Sequence, residues 1–239
     1  MSDPFRTTRW SLVLAAQEDP EKPDGREAME TLCQAYWFPL YVYLRRHSSS
    51  TDEARDMTQA FFVSLLDRKT IEMADPDRGR FRCFLLTACR RFLQNEWRRQ
   101  GTLKRGGQQA TLSLDFEVAE SRYQHSAAGA ETPELLFERQ WAVSLLDAVL
   151  GNLREEYRER GRERLFELLK FSLTGGDKVS YREIAEQIKM TEDAVKVASS
   201  RLKIRYRELL RAQITATVES ESAVQEEIQR LFQVLASPA

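Results

Sequence analysis

The stretch that most constrains this chain is Ser180 to Arg211, SYREIAEQIKMTEDAVKVASSRLKIRYRELLR, because it encodes two helix starts separated by one short turn. Ser180 and Glu183 have the form of a capping box, in which the hydroxyl accepts from a first-turn N–H and the carboxylate accepts from the cap's own N–H. A helix from Tyr181 then buries Ile184, Ala185 and Ile188 and breaks at Lys189-Met190. Thr191 caps the next. On that second helix Val195, Ala198, Leu202, Tyr206 and Leu209 recur at three- and four-residue steps as one apolar stripe. Lys196, Ser200, Lys203 and Arg207 fall on the opposite side, with no carboxylate among those four positions. An ordinary solvated helix would also be amphipathic. Cap, short turn and cationic face together favour a helix-turn-helix laid in a DNA major groove, its first turns at the base edges.

A chain of 239 residues has room for two small domains with proper cores. Its net charge of -1 excludes a protein that coats nucleic acid by overall basicity, so any such surface must come from local segregation. That segregation exists. Arg78 to Arg105 holds nine Lys or Arg against one carboxylate, Glu96, whereas Asp115 to Glu138 is strongly acidic. Cys33, Cys83 and Cys89 lack metal-ligand spacing and are odd in number, which is expected of buried thiols in a reducing cytoplasm. The N-terminus has no signal-peptide layout, and no apolar run approaches the roughly 20 residues that span a bilayer. The expectation is a soluble cytoplasmic chain without membrane insertion.

Along the chain, Thr8 to Gln17 predicts a short helix that docks Trp10, Leu12 and Leu14. Arg26 to His47 predicts a long aromatic helix, interrupted or bent near Pro39. Thr51 is expected to cap a helix from Asp52 to Asp67, with Ala54, Met57, Phe61, Phe62 and Leu65 inside and Asp52, Arg55, Asp56 and Gln59 outside. Phe81 to Arg99 predicts a third helix, with stripes Phe81, Leu85, Ala88, Phe92 and Leu86, Leu93, Trp97. Arginines beside Phe92 and Trp97 suit either a core helix with snorkelling cations or a surface that holds phosphates and stacks unpaired bases. Residues 104–132 read as a flexible linker of about thirty residues and hence a domain boundary. Helices follow from Glu134 to Arg160 and from Arg164 to Leu173. A C-terminal amphipathic helix places Val224, Ile228, Leu231, Phe232 and Leu235 on its apolar side, to cap the second domain or cover a partner surface. The fold class expected is all-α: two small helical domains joined by a flexible linker, the second ending in a helix-turn-helix.

This arrangement resembles the bacterial RNA polymerase sigma factors, most closely the small extracytoplasmic-function (ECF) kind. The likeness covers roughly Arg26 to Arg211. EARDMTQAFF (Glu53 to Phe62) is similar to the family's core-binding helix, with Asp56, Gln59 and Phe62 on its Asp-x-x-Gln-x-x-Phe pattern. FRCFLLTACRRFLQNEWRR resembles the helix that melts and reads the minus-ten element, and the helix-turn-helix resembles the minus-thirty-five reader. Phe84, Arg91 and Asn95 stand where the family often has tryptophan, asparagine and aspartate, which leaves the minus-ten sequence open. The resemblance implies core polymerase and promoter DNA, duplex and melted, as partners, and allows an anti-sigma factor or other regulator. It implies capture of a displaced base near the loop from Lys69 to Arg80 and the following helix. Implied site residues are Asp52, Arg55, Asp56, Gln59 and Phe62 at the polymerase, and Arg91, Phe92, Asn95, Trp97, Arg98 and Arg99 at the minus-ten element. Thr191, Lys196, Ser200, Lys203 and Arg207 fall to the minus-thirty-five element. The implied domains are a region 2-like unit at 26–103, the linker at 104–132 and a region 4-like unit at 133–212. They are flanked by extensions at 1–25 and 213–239.

One alternative is a free-standing helix-turn-helix regulator whose first domain is a dimerisation or sensor module, but the polar Asp56/Gln59 edge suits a dimer seam poorly; another is a protein-binding adaptor, against which the arginine excess from Arg78 to Arg105 counts. Nothing points to an enzyme. His47 and His125 stand apart from each other and from any cysteine pair, and GTLKRGG lacks the spacing of a P-loop, so no catalytic group, metal or cofactor is expected.

Overall fold

The computed structural model describes residues 13–14, 16–17, 23–66, 68–75, 79–100, 114–126, 131–175, 179–215, 218 and 221–236. These residues form helices and turns with no strand among them. The helices are α1 (Pro23–Arg46), α2 (Thr51–Leu66), α3 (Arg68–Ile71), α4 (Phe81–Gln100), α5 (Phe116–Ser126), α6 (Pro133–Glu159), α7 (Glu163–Leu169), α8 (Phe171–Thr174), α9 (Tyr181–Ile188), α10 (Glu192–Thr215) and α11 (Glu221–Ala236). Two compact units result, one of residues 1–144 with 214–239 and the other of residues 145–213.

In the first unit α1 is buried on several sides, with Tyr36, Leu40, Tyr41, Val42 and Leu44 almost wholly enclosed. Pro39 lies within α1, which runs through it without interruption. The start of α2 is capped by Ser50 rather than Thr51: Oγ of Ser50 accepts from the Glu53 N–H at 3.1 Å, and the Glu53 carboxylate accepts from Ser49. Those Ser49 hydrogen bonds hold the Glu53 carboxyl below its ordinary pKa. On α4 the buried stripe is Phe81, Leu85, Cys89 and Leu93, one residue every fourth position. Ala88 and Phe92 are only half-buried, and Trp97 is exposed. Burial pushes the thiol of Cys33 up to about 11 and that of Cys89 up further, whereas Cys83 is exposed, correcting the expectation of three buried thiols. Near the N-terminus Val13 and Ala16 are the buried residues and Leu14 faces outward; Trp10 and Leu12 lie outside the described residues.

Part of the expected linker is helical. Phe116, Ala119 and Tyr123 on α5 recur at helical spacing and bury themselves against Phe38, Tyr41, Val42 and Ala54. The Phe116 ring meets Trp37 and Tyr41 edge-on at 5.9 and 5.6 Å. Its burial alone stabilises the attachment by about 2 kcal/mol. Glu120 accepts from the Tyr41 hydroxyl at 2.5 Å and from Arg45 at 3.3 Å. Burial would raise the Glu120 pKa, but these donors outweigh it and lower it.

α11 belongs to this unit, not to the second. Its inner face is Val224, Leu231 and Val234 with one charged member, Glu227, and Phe232 points outward instead of joining them. Glu227 takes two parallel hydrogen bonds from Arg82 at 2.6 and 3.0 Å. Arg82 also donates to Glu138 at 2.9 Å and lies 4.6 Å from the centre of the Trp141 ring. Arg230 binds the same Glu138, and Arg80 pairs with Glu226 and Glu227 at 3.2 and 3.0 Å. Burial alone would pull the Arg82 pKa down; the Glu227 carboxylate reverses that and holds the guanidinium charged.

The second unit contains the rest of α6 together with α7 to α9 and most of α10. Val149 and Leu153 of α6 and Phe166 and Leu169 of α7 are buried there with Ile184, Val195, Leu202 and Leu209. The segment expected as one helix from Arg164 to Leu173 is two short ones, ended by Gly175 in the left-handed region.

Candidate nucleic-acid interface

The outer edge of α2 carries Asp52, Arg55 and Asp56, all exposed. Asp52 and Asp56 are a turn apart on one face, and the Arg55 guanidinium sits 5.2 Å from the Phe116 ring. Gln59 and Phe62 do not join them: Gln59 is 7% exposed and Phe62 is fully enclosed, correcting the outward placement of Gln59. The reason is geometric. At 3.6 residues per turn a three-residue step falls about 60° short of a full turn, so the Asp-x-x-Gln-x-x-Phe pattern winds from solvent into the core.

Two adjoining cavities of about 250 and 500 Å³ lie along α4 and share Met73, Phe84, Thr87 and Arg91. The smaller reaches Phe61 and Phe92, and the larger opens past Asp75 and Gly79. Gly79 has φ +105, which a side chain rarely adopts, two residues ahead of the start of α4 at Phe81. Phe92 is half-buried and packs edge-on to Phe61 at 5.6 Å; Phe84 stacks on Phe81 at 5.8 Å. Of the residues expected at the minus-ten element, Arg91, Phe92 and Asn95 converge on this pocket. Trp97 does not. It is exposed one turn on, with its ring 6.3 Å from that of His47. Arg98 is likewise exposed away from the cavity lining, and the Arg99 side chain lies outside the described residues. Ser64 and Thr87 are lining residues that sequence reasoning missed, whereas Met73 belongs to the loop expected at the displaced base and Phe84 is the position compared with the family's tryptophan. For Thr87 the signal was there, since 84, 87, 88, 91, 92 and 95 lie at helical spacing on one face. The cavity's lining thus combines the aromatic rings of Phe61, Phe84 and Phe92 with a guanidinium and an amide, groups that can stack on and hydrogen-bond a planar ring.

In the second unit the local signals hold. Ser180 and Glu183 form the complete capping box, Lys189 ends α9 at φ +55, and Thr191 Oγ accepts from the Ala194 N–H at 3.2 Å. The left-handed turn at a lysine costs about 1 kcal/mol relative to glycine. It is supported by the Lys189 and Met190 N–H groups, which both donate to the Ala185 carbonyl. α10 is pinned to α6 by Arg205, which gives two hydrogen bonds to Glu156 at 2.7 and 2.9 Å. These bonds hold the Glu156 carboxyl below its ordinary pKa.

The outward face of α10 is less uniformly cationic than expected. Lys196 is drawn back to Glu192 at 2.8 Å and Asp193 at 3.6 Å, and Lys203 is half-buried at the margin of the apolar stripe. Ser200 and Arg207 are exposed as expected, and Thr191 spends its hydroxyl on the cap. Sequence reasoning missed Val197 and Arg201, which face a groove of about 860 Å³. Arg162 and Arg164 after α6, with Lys189 in the turn, contribute further cations to that groove. No cluster of His, Cys, Asp or Glu among the described residues could hold a metal ion, and no helix of theirs is long and apolar enough to cross a membrane.

Compared with known protein families, residues 39–214 match the family model described as ECF sigma factor. The match ends before α11. No curated protein and no solved structure matches the chain.

Proposed function

The chain belongs to the ECF sigma factors, a family of transcription-initiation factors that bind core RNA polymerase and promoter DNA, and from that premise we propose which surfaces do the work. The exposed Asp52–Arg55–Asp56 edge of α2 contacts core polymerase. The pocket along α4 takes an extruded base of the melted minus-ten strand, with Phe84 and Phe92 as apolar walls and Arg91 and Asn95 at the rim. The outward face of α10 reads the upstream duplex. An anti-sigma factor or other regulator is a further partner this reading admits, acting by covering the α2 edge.

The observation that carries the proposal is the convergence of Arg91, Phe92 and Asn95 on one cavity that Met73 also lines. Extracting a base costs a few kcal/mol of stacking, so melting is driven where aromatic and cationic groups can replace what is lost. The chain performs no bond-making step in this reading. It positions and opens DNA, and the polymerase supplies the chemistry.

The test uses the full chain with bacterial core polymerase. Wild type should comigrate with core on a sizing column, and Asp52→Ala/Asp56→Ala should not. Arg91→Ala and Asn95→Ala should join core and bind promoter duplex normally, yet open it less, as followed by 2-aminopurine fluorescence across the minus-ten element. Undiminished opening in both would remove the pocket from the mechanism.

A further inference from the structure

Two apolar side chains, Val197 and Ile204, are exposed on the outward face of α10 among its polar residues. With about 100° between successive residues, Val197 and Ile204 stand opposite the buried stripe of Val195, Leu202 and Leu209. They are 49% and 51% exposed, and a single exposed aliphatic residue is ordinary. Two features set Val197 apart. It lies in the second turn after the Thr191 cap, the part of a groove-bound helix that reaches base edges. It also lines the groove whose charged residues are Arg162, Arg164, Lys189 and Arg201 with one carboxylate, Asp193, which Lys196 approaches at 3.6 Å; the excess of cations suits the flanking phosphates of a polyanion. Lys196, the cation nearest in sequence, is engaged by Glu192 and Asp193.

A polyanionic duplex presents one apolar group on its major-groove edge, the 5-methyl of thymine. We propose that Val197 reads a thymine methyl in the upstream promoter element and so sets part of this chain's sequence preference. Arg201, one turn along the same face, supplies the adjoining polar contact. Ile204 lies two turns beyond Val197, past the turns that reach base edges. The inference rests on the assignment of α10 as the upstream reader.

The experiment uses holoenzyme reconstituted from the full chain and bacterial core polymerase. Preferred duplexes are selected from a random upstream library, and each thymine of the selected element is replaced in turn by deoxyuridine, which removes only the methyl. Wild type should lose about fourfold in affinity at one thymine, the worth of one buried methyl group. Val197→Ala should bind the thymine and uracil duplexes alike, with thermal unfolding unchanged from wild type. A uracil penalty that persists in Val197→Ala, or an element in which no thymine carries one, overturns the proposal while leaving α10 as the reader. Duplex affinity insensitive to Arg201→Ala/Arg207→Ala as well would overturn the assignment of α10 itself, and would turn the groove over to a protein partner.

Discussion

Replacing Glu227 by Gln is the sharpest test of how this chain holds its first unit together. Glu227 is 1% exposed and Arg82 4%, so the pair has left water almost entirely. Removing one partner of such a pair leaves a buried charge uncompensated and typically costs 3–5 kcal/mol. Here Glu138 still accepts from Arg82 at 2.9 Å, which places Glu227→Gln near the lower end, at about 3 kcal/mol. That is a substantial part of the roughly 5–15 kcal/mol that holds a domain folded. The double variant Arg82→Met/Glu227→Leu removes both charges and keeps similar volume. Glu138 retains Arg230 in that background, and Arg80 retains Glu226. The double variant should therefore recover most of the loss and lie within about 1 kcal/mol of wild type. Because the two compact units need not unfold together, the assay is urea unfolding read by hydrogen exchange over α4 and α11. A Glu227→Gln variant within about 0.5 kcal/mol of wild type, or a double variant no more stable than Glu227→Gln, would refute the reasoning.

Other expectations are more local. Glu156 titrates below its ordinary value when folded, because Arg205 binds its charged form. Its contribution is therefore complete above the ordinary carboxylate range and is lost as pH falls through the lower folded value. Acid thermal-melting profiles of the second unit should be steeper for wild type than for Glu156→Gln. Iodoacetamide should label one thiol quickly in the native chain, Cys83, while Cys33 and Cys89 wait for unfolding, as mass mapping of the labelled peptides would reveal. Arg207→Ala should lower the slope of log affinity against log salt on upstream duplex by about 0.9, without changing core binding. A slope unchanged in titrations across salt would take Arg207 off the phosphates.

What the sequence discloses depends on how far a residue's partner lies along the chain. The capping box at Ser180 and the cap at Thr191 close within a turn and stand as read, and the stripe keeps Val195, Leu202 and Leu209 buried with Ala198 and Tyr206 half-buried. Arg82 is the contrary case. Its partner is 145 residues away, and in the sequence it was only one of nine cations counted from Arg78 to Arg105. On α5, Phe116, Ala119 and Tyr123 had helical spacing, but the acidic residues around them hid a segment that earns its order only by packing on α1. Gln59 failed for a different reason: a motif was taken as a face, although its three-residue period cannot stay on one side of an α-helix.

The same geometry explains why α4 can serve two purposes. Its buried stripe, Phe81, Leu85, Cys89 and Leu93, flanks the Arg82 position that fastens α11, while Phe84, Thr87, Arg91 and Asn95 lie about a third of a turn away and line the pocket. Each set keeps its own side because both step by three or four residues. Changes on the Arg82 side should therefore register as stability, and changes on the Arg91 side as DNA opening. A pocket on the surface of a helix already fixed by its opposite contacts needs little further ordering when a base enters, so more of the stacking energy remains available to hold the strand open.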